Sequence, residues 1–287
     1  MNRAERRRQE KTTRKSPVPE RNFSVTPQAI TALKSELQQA TSPEKIQQII
    51  AALVAQGLPP AAGKELQVYA AAYHDATAML RTGASAEAAS AVVNNAHGWA
   101  DTIIDHSPQR DQRACRAGCA FCCYLPTVIV TAAEVVHLAT WLRTHCSPEE
   151  LTALRQRLAD RLQQQTAPSS TPQTKTLLPC ALLQDNHCMA YMARPLKCRS
   201  WNSIRLEACE QAYGHGQSTN QVPVDAYAFV MGNAILNGLS DSASHAGLDG
   251  AAYDLTRALA RALDIPDVVQ RWCNGERLFD VPQSKSG

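Results

Sequence analysis

Apolar residues recur at spacings of three and four along most of the chain, and each run is introduced by a residue suited to start a helix. Thr26-Pro27 precedes Ile30, Leu33 and Leu37, and Ser42-Pro43 precedes Ile46, Ile49, Ile50 and Leu53; in both, a hydroxyl N-cap is followed by a first-turn proline. Leu66, Tyr69, Tyr73, Ala76 and Leu80 keep the helical period up to Gly83, and Ser85 opens the next run, Ala89, Val92, Val93, Ala96, Trp99 and Ile103. Residues 23–106 are therefore expected to form an N-terminal helical region. The helix-pair rhythm suggests a repeat array, but no residue signature recurs at a fixed period.

The same signals return further on. Thr131-Ala-Ala-Glu134 is a capping box ahead of Val135, Leu138 and Leu142, and Ser147-Pro148-Glu149-Glu150 is a second one ahead of Leu151, Leu154, Leu158 and Leu162. That second helix runs into Thr166-Ala-Pro-Ser-Ser-Thr-Pro-Gln-Thr, a linker-like stretch. Helical patterning resumes with Ala226, Phe229, Val230, Ala234, Ile235 and Leu239, then with Leu255, Leu259 and Leu263 up to Ile265-Pro266. The expected fold class is mainly α, a helical bundle with an irregular cysteine-rich metal-binding centre. Four segments follow: a basic flexible tail over 1–22, the helical region over 23–106, a cysteine-cluster domain with a helical insertion over 107–214, and a C-terminal helical layer over 215–287.

Composition adds constraints. Hydrophobic residues make up 44% of 287, enough for a buried core, while aromatics are only 5%. The formal net charge is +3, but the first 21 residues hold eight Lys or Arg against three Glu, which leaves the rest near −2. A body so close to neutral gives no electrostatic case for duplex binding, so nucleic acid is a minor reading confined to the tail. No apolar run approaches the roughly 18 residues of a membrane span, and no apolar segment follows the basic start, so no membrane association and a cytoplasmic location are expected. No GxGxxG or GxxxxGK pattern exists to cradle phosphates.

In a reducing compartment, ten cysteines at close spacing suggest metal ligation or thiol chemistry before disulfides. Cys115-x3-Cys119-x2-Cys122 spaces three thiols so that one loop can offer a half-site, with Gly118 supplying backbone freedom. Arg110, Arg113 and Arg116 are expected to favour the thiolate form. Cys123 follows directly, and adjacent side chains diverge in regular backbone, so both joining one ion needs an irregular turn or a second metal. A second group begins at Pro179-Cys180 and continues with Cys188, Cys198 and Cys209, where Arg194 and Arg199 could donate to sulfur. Cys146 and Cys273 stand alone near helix ends and read as packed thiols. His187 is a substitute ligand of low rank, and His74, His97 and His106 read as packed or surface histidines.

The run C-x3-C-x2-CC from Cys115, then Pro179-Cys180-Ala-Leu-Leu, then C-x-x-Y-x-x-RP-x-x-C-R from Cys188 to Arg199, resembles the zinc- or iron-chelating cysteine-cluster family. That family also contains flagellin N-methylases. The match covers positions 115 to 199, and its first spacing is one residue longer than the CxxCxxCC label of the family. The resemblance implies zinc or an iron–sulfur (4Fe–4S) cluster held by Cys115, Cys119, Cys122, Cys123, Cys180, Cys188 and Cys198. Cys209 lies outside the matched stretch.

Three classes of function fit these residues. The first is a metal-binding protein in which two cysteine groups converge on an iron–sulfur or zinc site, with a redox role open. The second is an enzyme: the resemblance to a family containing flagellin N-methylases implies methyl transfer to a protein substrate with a cluster and S-adenosylmethionine, and Cys115-x3-Cys119-x-Phe-Cys122 separately meets the three-cysteine pattern of radical S-adenosylmethionine enzymes. Such enzymes build a parallel β/α barrel after the motif, whereas this chain shows helices there. The third is a scaffold that binds a protein partner and uses metal for stability. Asp101, Asp105, Asp185 and Glu207 are acids within reach in sequence, without a paired-carboxylate pattern.

Overall fold

The computed structural model describes residues 36–37, 39–40, 42–81, 85–124, 127–166, 178–214 and 222–279, apart from the Thr166 side chain. The helix expected behind Thr26-Pro27 and the linker after Thr166 lie largely or wholly outside them, as does the basic tail. Among the described residues the protein is mainly α, with ten α-helices and four strands of two or three residues.

The N-terminal helices begin where the caps predict. Ser42 Oγ accepts Lys45 N at 3.3 Å ahead of α1 (Pro43–Ala55), and Ser85 Oγ accepts Ala88 N at 3.1 Å ahead of α3 (Ala86–Asp105). Between them runs α2 (Pro60–Arg81), which buries Leu66, Tyr69, Tyr73, Ala76 and Leu80, the stripe read from the sequence. Both capping boxes form. Thr131 Oγ1 accepts Glu134 N at 3.2 Å and Glu134 Oε2 accepts Thr131 N at 2.9 Å, opening α4 (Ala132–His145). Ser147 and Glu150 repeat the exchange at the start of α5 (Pro148–Thr166).

Two short helices, α6 (Leu196–Ser200) and α7 (Leu206–Gly214), carry the later cysteines. The C-terminal part contributes α8 (Ala226–His245), α9 (Leu255–Asp264) and α10 (Val268–Cys273), with Asp225 and Asp254 as side-chain N-caps of the first two. α8 packs against α2, α3 and α6, and α9 packs against α4 and α5. One core runs from Ala72 to Phe279 and unites the helices on both sides of the cysteine segment, while Leu37, Ile50, Leu66, Tyr69, Ala70 and Ala234 form a smaller cluster.

The strands are too brief for an alternating pattern to announce them. β1 (Ile129–Thr131) pairs antiparallel with β4 (Ala252–Asp254), and β2 (Leu183–Gln184) with β3 (His187–Cys188). The parallel β/α barrel of radical S-adenosylmethionine enzymes is therefore absent among the described residues. No described helix is long and apolar enough to cross a membrane.

Candidate metal centre

The cysteine segments are short, irregular pieces fastened to the helical body by polar anchors. Arg113, two residues before Cys115, donates from Nε to Asp225 Oδ2 at 2.9 Å and also bonds the Ile104 carbonyl. Asp225 is fully buried and doubles as the N-cap of α8, accepting from Ala228 N and from Ser107 Oγ. Ala114 N then donates to Ser203 O at 2.8 Å, and the Cys115 thiol lies 3.9 Å from the same carbonyl. Residues 115–118 are exposed, and Gly118 turns the loop with φ +79, a left-handed value that favours glycine.

Cys122 and Cys123 sit in a 3-10 turn over Phe121–Tyr124, closed by Cys123 N donating to Ala120 O at 2.9 Å. This is the irregular backbone an adjacent pair needs, and here their side chains meet in a hydrogen bond. Acting as the donor raises the Cys123 thiol, with burial adding; receiving that bond lowers Cys122, helped by the Arg194 guanidinium.

The second group is stitched to this turn through the backbone, Cys180 N donating to Cys123 O at 2.7 Å. α5, the helical insertion, grips it from behind. Arg157 Nε donates to Ala181 O at 2.8 Å, and Arg161 bonds the carbonyls of Leu178 and Pro179. Asp185 and Asn186, both at positive φ, make the tight turn between β2 and β3 that delivers Cys188. Cys198 rides on α6, whose first amide, Leu196 N, donates to Glu134 Oε1 at 2.7 Å; that carboxylate thus caps its own helix and pins α6. α6 also lies so close to α8 that a Cβ at Gly232 would collide with Ser200.

The electrostatics place these thiols in one neighbourhood. Burial pushes Cys188 up to about 11, with Cys180 and Cys122 adding and Arg194 opposing. Burial likewise raises Cys198, reinforced by Cys180, Cys122 and Cys188, and raises Cys180, where Cys122 adds and Arg161 opposes. Cys115 is exposed, yet partial desolvation and the thiols of Cys122, Cys119 and Cys209 raise it. Burial raises Cys209, with Cys119 and Cys122 adding and a side-chain hydrogen bond with Ser203 opposing. Cys122 neighbours thiols of both groups, and Cys123 neighbours Cys180 and Cys198. As the side chains stand, no three His, Cys, Asp or Glu among the described residues are drawn closely enough around one point to hold an ion.

Several residues do other than the sequence suggests. Arg113 serves Asp225 and the Ile104 carbonyl, and Arg199 turns away to Asp101, whose carboxylate it holds at 2.9 and 2.7 Å; Arg194 alone of the expected arginines bears on the thiols. The Arg194 guanidinium lies 4.2 Å from the Tyr191 ring centroid, and its buried Nε has no hydrogen-bond partner among the described residues. His187 is exposed and bonds Asp185 O, Asp185 turns the hairpin, and Asp105 and Glu207 are exposed. Cys146 caps the end of α4 and Cys273 ends α10, both packed against the main core. Sequence reasoning placed Cys209 in the second group but outside the matched stretch, and it did not single out Arg157 or Arg161, at which nothing local hints.

An all-sulfur donor set beside an unsatisfied buried guanidinium fits a negatively charged metal–thiolate centre, because thiolates would give the orphaned Arg194 N–H the acceptor it lacks. Tyr213, on α7, closes one side by meeting Phe121 and Tyr124 edge-on at 5.6 and 4.8 Å. In comparisons with known proteins, no protein family, no curated protein and no solved structure matches this chain.

Proposed function

We propose that this chain is a metal-binding protein that holds zinc or an iron–sulfur cluster through two converging cysteine groups. Cys115, Cys119, Cys122 and Cys123 supply the first, and Cys180, Cys188 and Cys198 the second, as the resemblance to the cysteine-cluster family implies. The observation that carries this reading is the junction at the 3-10 turn, where Cys180 N bonds Cys123 O and the Cys122 thiol neighbours those of Cys180, Cys188 and Cys198. Two groups nearly sixty residues apart in sequence meet there.

Each residue has a task in that reading. The thiolates bind, Arg194 offsets their charge from within the fold, and Glu134, Arg157 and Arg161 fix the segments that present them. Zinc would supply a redox-inert tetrahedral link, and an iron–sulfur cluster one-electron chemistry. Metal, iron and acid-labile sulfide analysis of anaerobically purified full-length protein, with its visible spectrum, tests the reading. Stoichiometric zinc in a colourless sample, or iron and sulfide in a coloured one, supports it; a metal-free protein whose thiols all react with a thiol reagent overturns it.

A further inference from the structure

Two buried histidines lie beside the anchors of the helix that carries Cys198. His97 on α3 and His137 on α4 meet edge to face with ring centroids 5.7 Å apart, and both are buried. Neither nitrogen of His97 nor Nδ1 of His137 has a hydrogen-bond partner among the described residues. α6 is fastened to the same two helices one turn from each ring. On α3, Asp101, four residues after His97, accepts from Arg199 Nη1 through both carboxylate oxygens at 2.9 and 2.7 Å; on α4, Glu134, three residues before His137, accepts Leu196 N at 2.7 Å. Arg199 is buried and also donates from Nε to Arg194 O at 2.9 Å, whereas Asp101 is exposed.

We propose that the His97–His137 pair is an acid-sensitive latch: when the two rings take up protons, α6 lets go of α3 and α4 and carries Cys198 out of the centre. Release of α6 stands on the fold alone; its consequence for bound metal rests on the metal-binding reading. The other helices packed on α3 and α4, namely α2, α8, α9 and α10, join them in the main core through apolar residues such as Ala76, Ile235, Leu259 and Trp272. The charges that bear on the rings are the guanidinium of Arg199 on both and that of Arg194 on His97, and each opposes protonation. In the closed fold the rings therefore stay neutral, and protons favour an open form in which water reaches them. The Asp101–Arg199 link is the one to yield, because Asp101 already faces water and its loss takes the guanidinium away from the pair. Glu134 works in the other direction: burial raises its carboxyl, so acid relieves a cost of folding there, and the loss comes from the histidines. Such an opening is local, so α6 gives way before the body.

Amide hydrogen exchange of the full chain, corrected for the intrinsic effect of pH, tests the latch. The amides of Leu196, Cys198 and Arg199, bonded to Glu134 Oε1 and Pro195 O, report on α6, and those of Leu138 and Leu142 report on α4. From about pH 7 to about pH 5.5 two imidazoles of ordinary pKa in the open form favour opening by roughly seventyfold, and one by roughly eightfold. The α6 amides are expected to lose protection by the first factor while the α4 amides keep theirs, and His97→Gln should reduce the loss to the second. Unchanged α6 protection, an equal loss in α4, or an undiminished loss in His97→Gln overturns the inference. Should His97→Gln misfold, the wild-type comparison of α6 with α4 still decides. The same two proteins, loaded with Zn2+ and mixed with a metallochromic chelator at the lower pH, read the consequence for metal: faster release from the wild type than from His97→Gln supports it, and equal rates refute it. A chain that takes up no zinc overturns the metal-binding reading, while the exchange data decide the latch.

Discussion

The helical body and the cysteine lobe are held together by different physics. In the body, long helices bury continuous apolar stripes, and residues such as Leu138, Leu142, Val93 and Ile235 are wholly enclosed. In the lobe, the pieces are two to nine residues long and most of their anchors are single hydrogen bonds that involve remote side chains: Arg113 to Asp225, Leu196 N to Glu134, Arg157 to Ala181 O. Apolar burial is cooperative and tolerant of local change, whereas a set of polar anchors is specific and individually weak. The body therefore rests mainly on its own apolar core, while the lobe depends on the body for position and, on the proposed reading, on a bound metal for cohesion.

The largest expected effect that separates the two is acid. His97 and His137 lie between α3 and α4 with ring centroids 5.7 Å apart, and neither nitrogen of His97 nor Nδ1 of His137 has a hydrogen-bond partner among the described residues. Burial lowers His97 to about 2 and His137 to about 4, with the Arg199 charge adding in both. Both therefore stay neutral in the fold at pH values where the unfolded chain already takes up protons. Their contribution is intact above about pH 6.5 and is lost as pH falls below it; for two imidazoles over two pH units the loss is on the order of 5 kcal/mol. Denaturant titration of the wild-type protein from pH 7 to pH 4.5 should show this fall, and His97→Gln should flatten it. An unchanged slope would place the acid sensitivity elsewhere.

Next in size is Leu138→Ala, which empties a fully enclosed site in α4 and should cost about 3 to 5 kcal/mol. That cost should be the same with and without bound metal. If metal restored most of it, the body would not be the independent unit described. A smaller change, Glu134→Gln, keeps the shape but weakens the acceptor of Thr131 N and Leu196 N; a stability loss of about 1 to 3 kcal/mol is expected. Its sharper signature is faster loss of bound metal, because the carboxylate joins the body to α6, which carries Cys198. Smallest of all, Cys146→Ser replaces a thiol at the end of α4 outside the centre, and is expected to shift stability by less than about 1 kcal/mol with metal content unchanged.

The same division governs what was legible in the sequence. Ser42, Ser85, Thr131 and Ser147 act locally on the next turn of chain, so caps and periodicity located α1, α3, α4 and α5 without tertiary information. The three-residue β1 and the six-residue α10 carry too few residues for a period to register. In the centre, residue type and spacing flagged the thiols, but not their partners. That Arg113 serves Asp225 while Arg194 faces the thiols depends on where α8 and the 3-10 turns end up in space. The adjacent Cys122 and Cys123 are the clearest case: regular backbone would part them, and only a turn invisible to pattern brings their thiols together.

The central claim is that the two cysteine groups serve one metal–thiolate centre. Bound metal per chain, measured on anaerobically purified Cys123→Ser and Cys180→Ser proteins beside the wild type, tests it most directly. Each variant is expected to lose the bound metal while keeping the helical circular dichroism of the body. Full retention of that metal by Cys180→Ser, with loss only in Cys123→Ser, would mean that the second group does not share the centre.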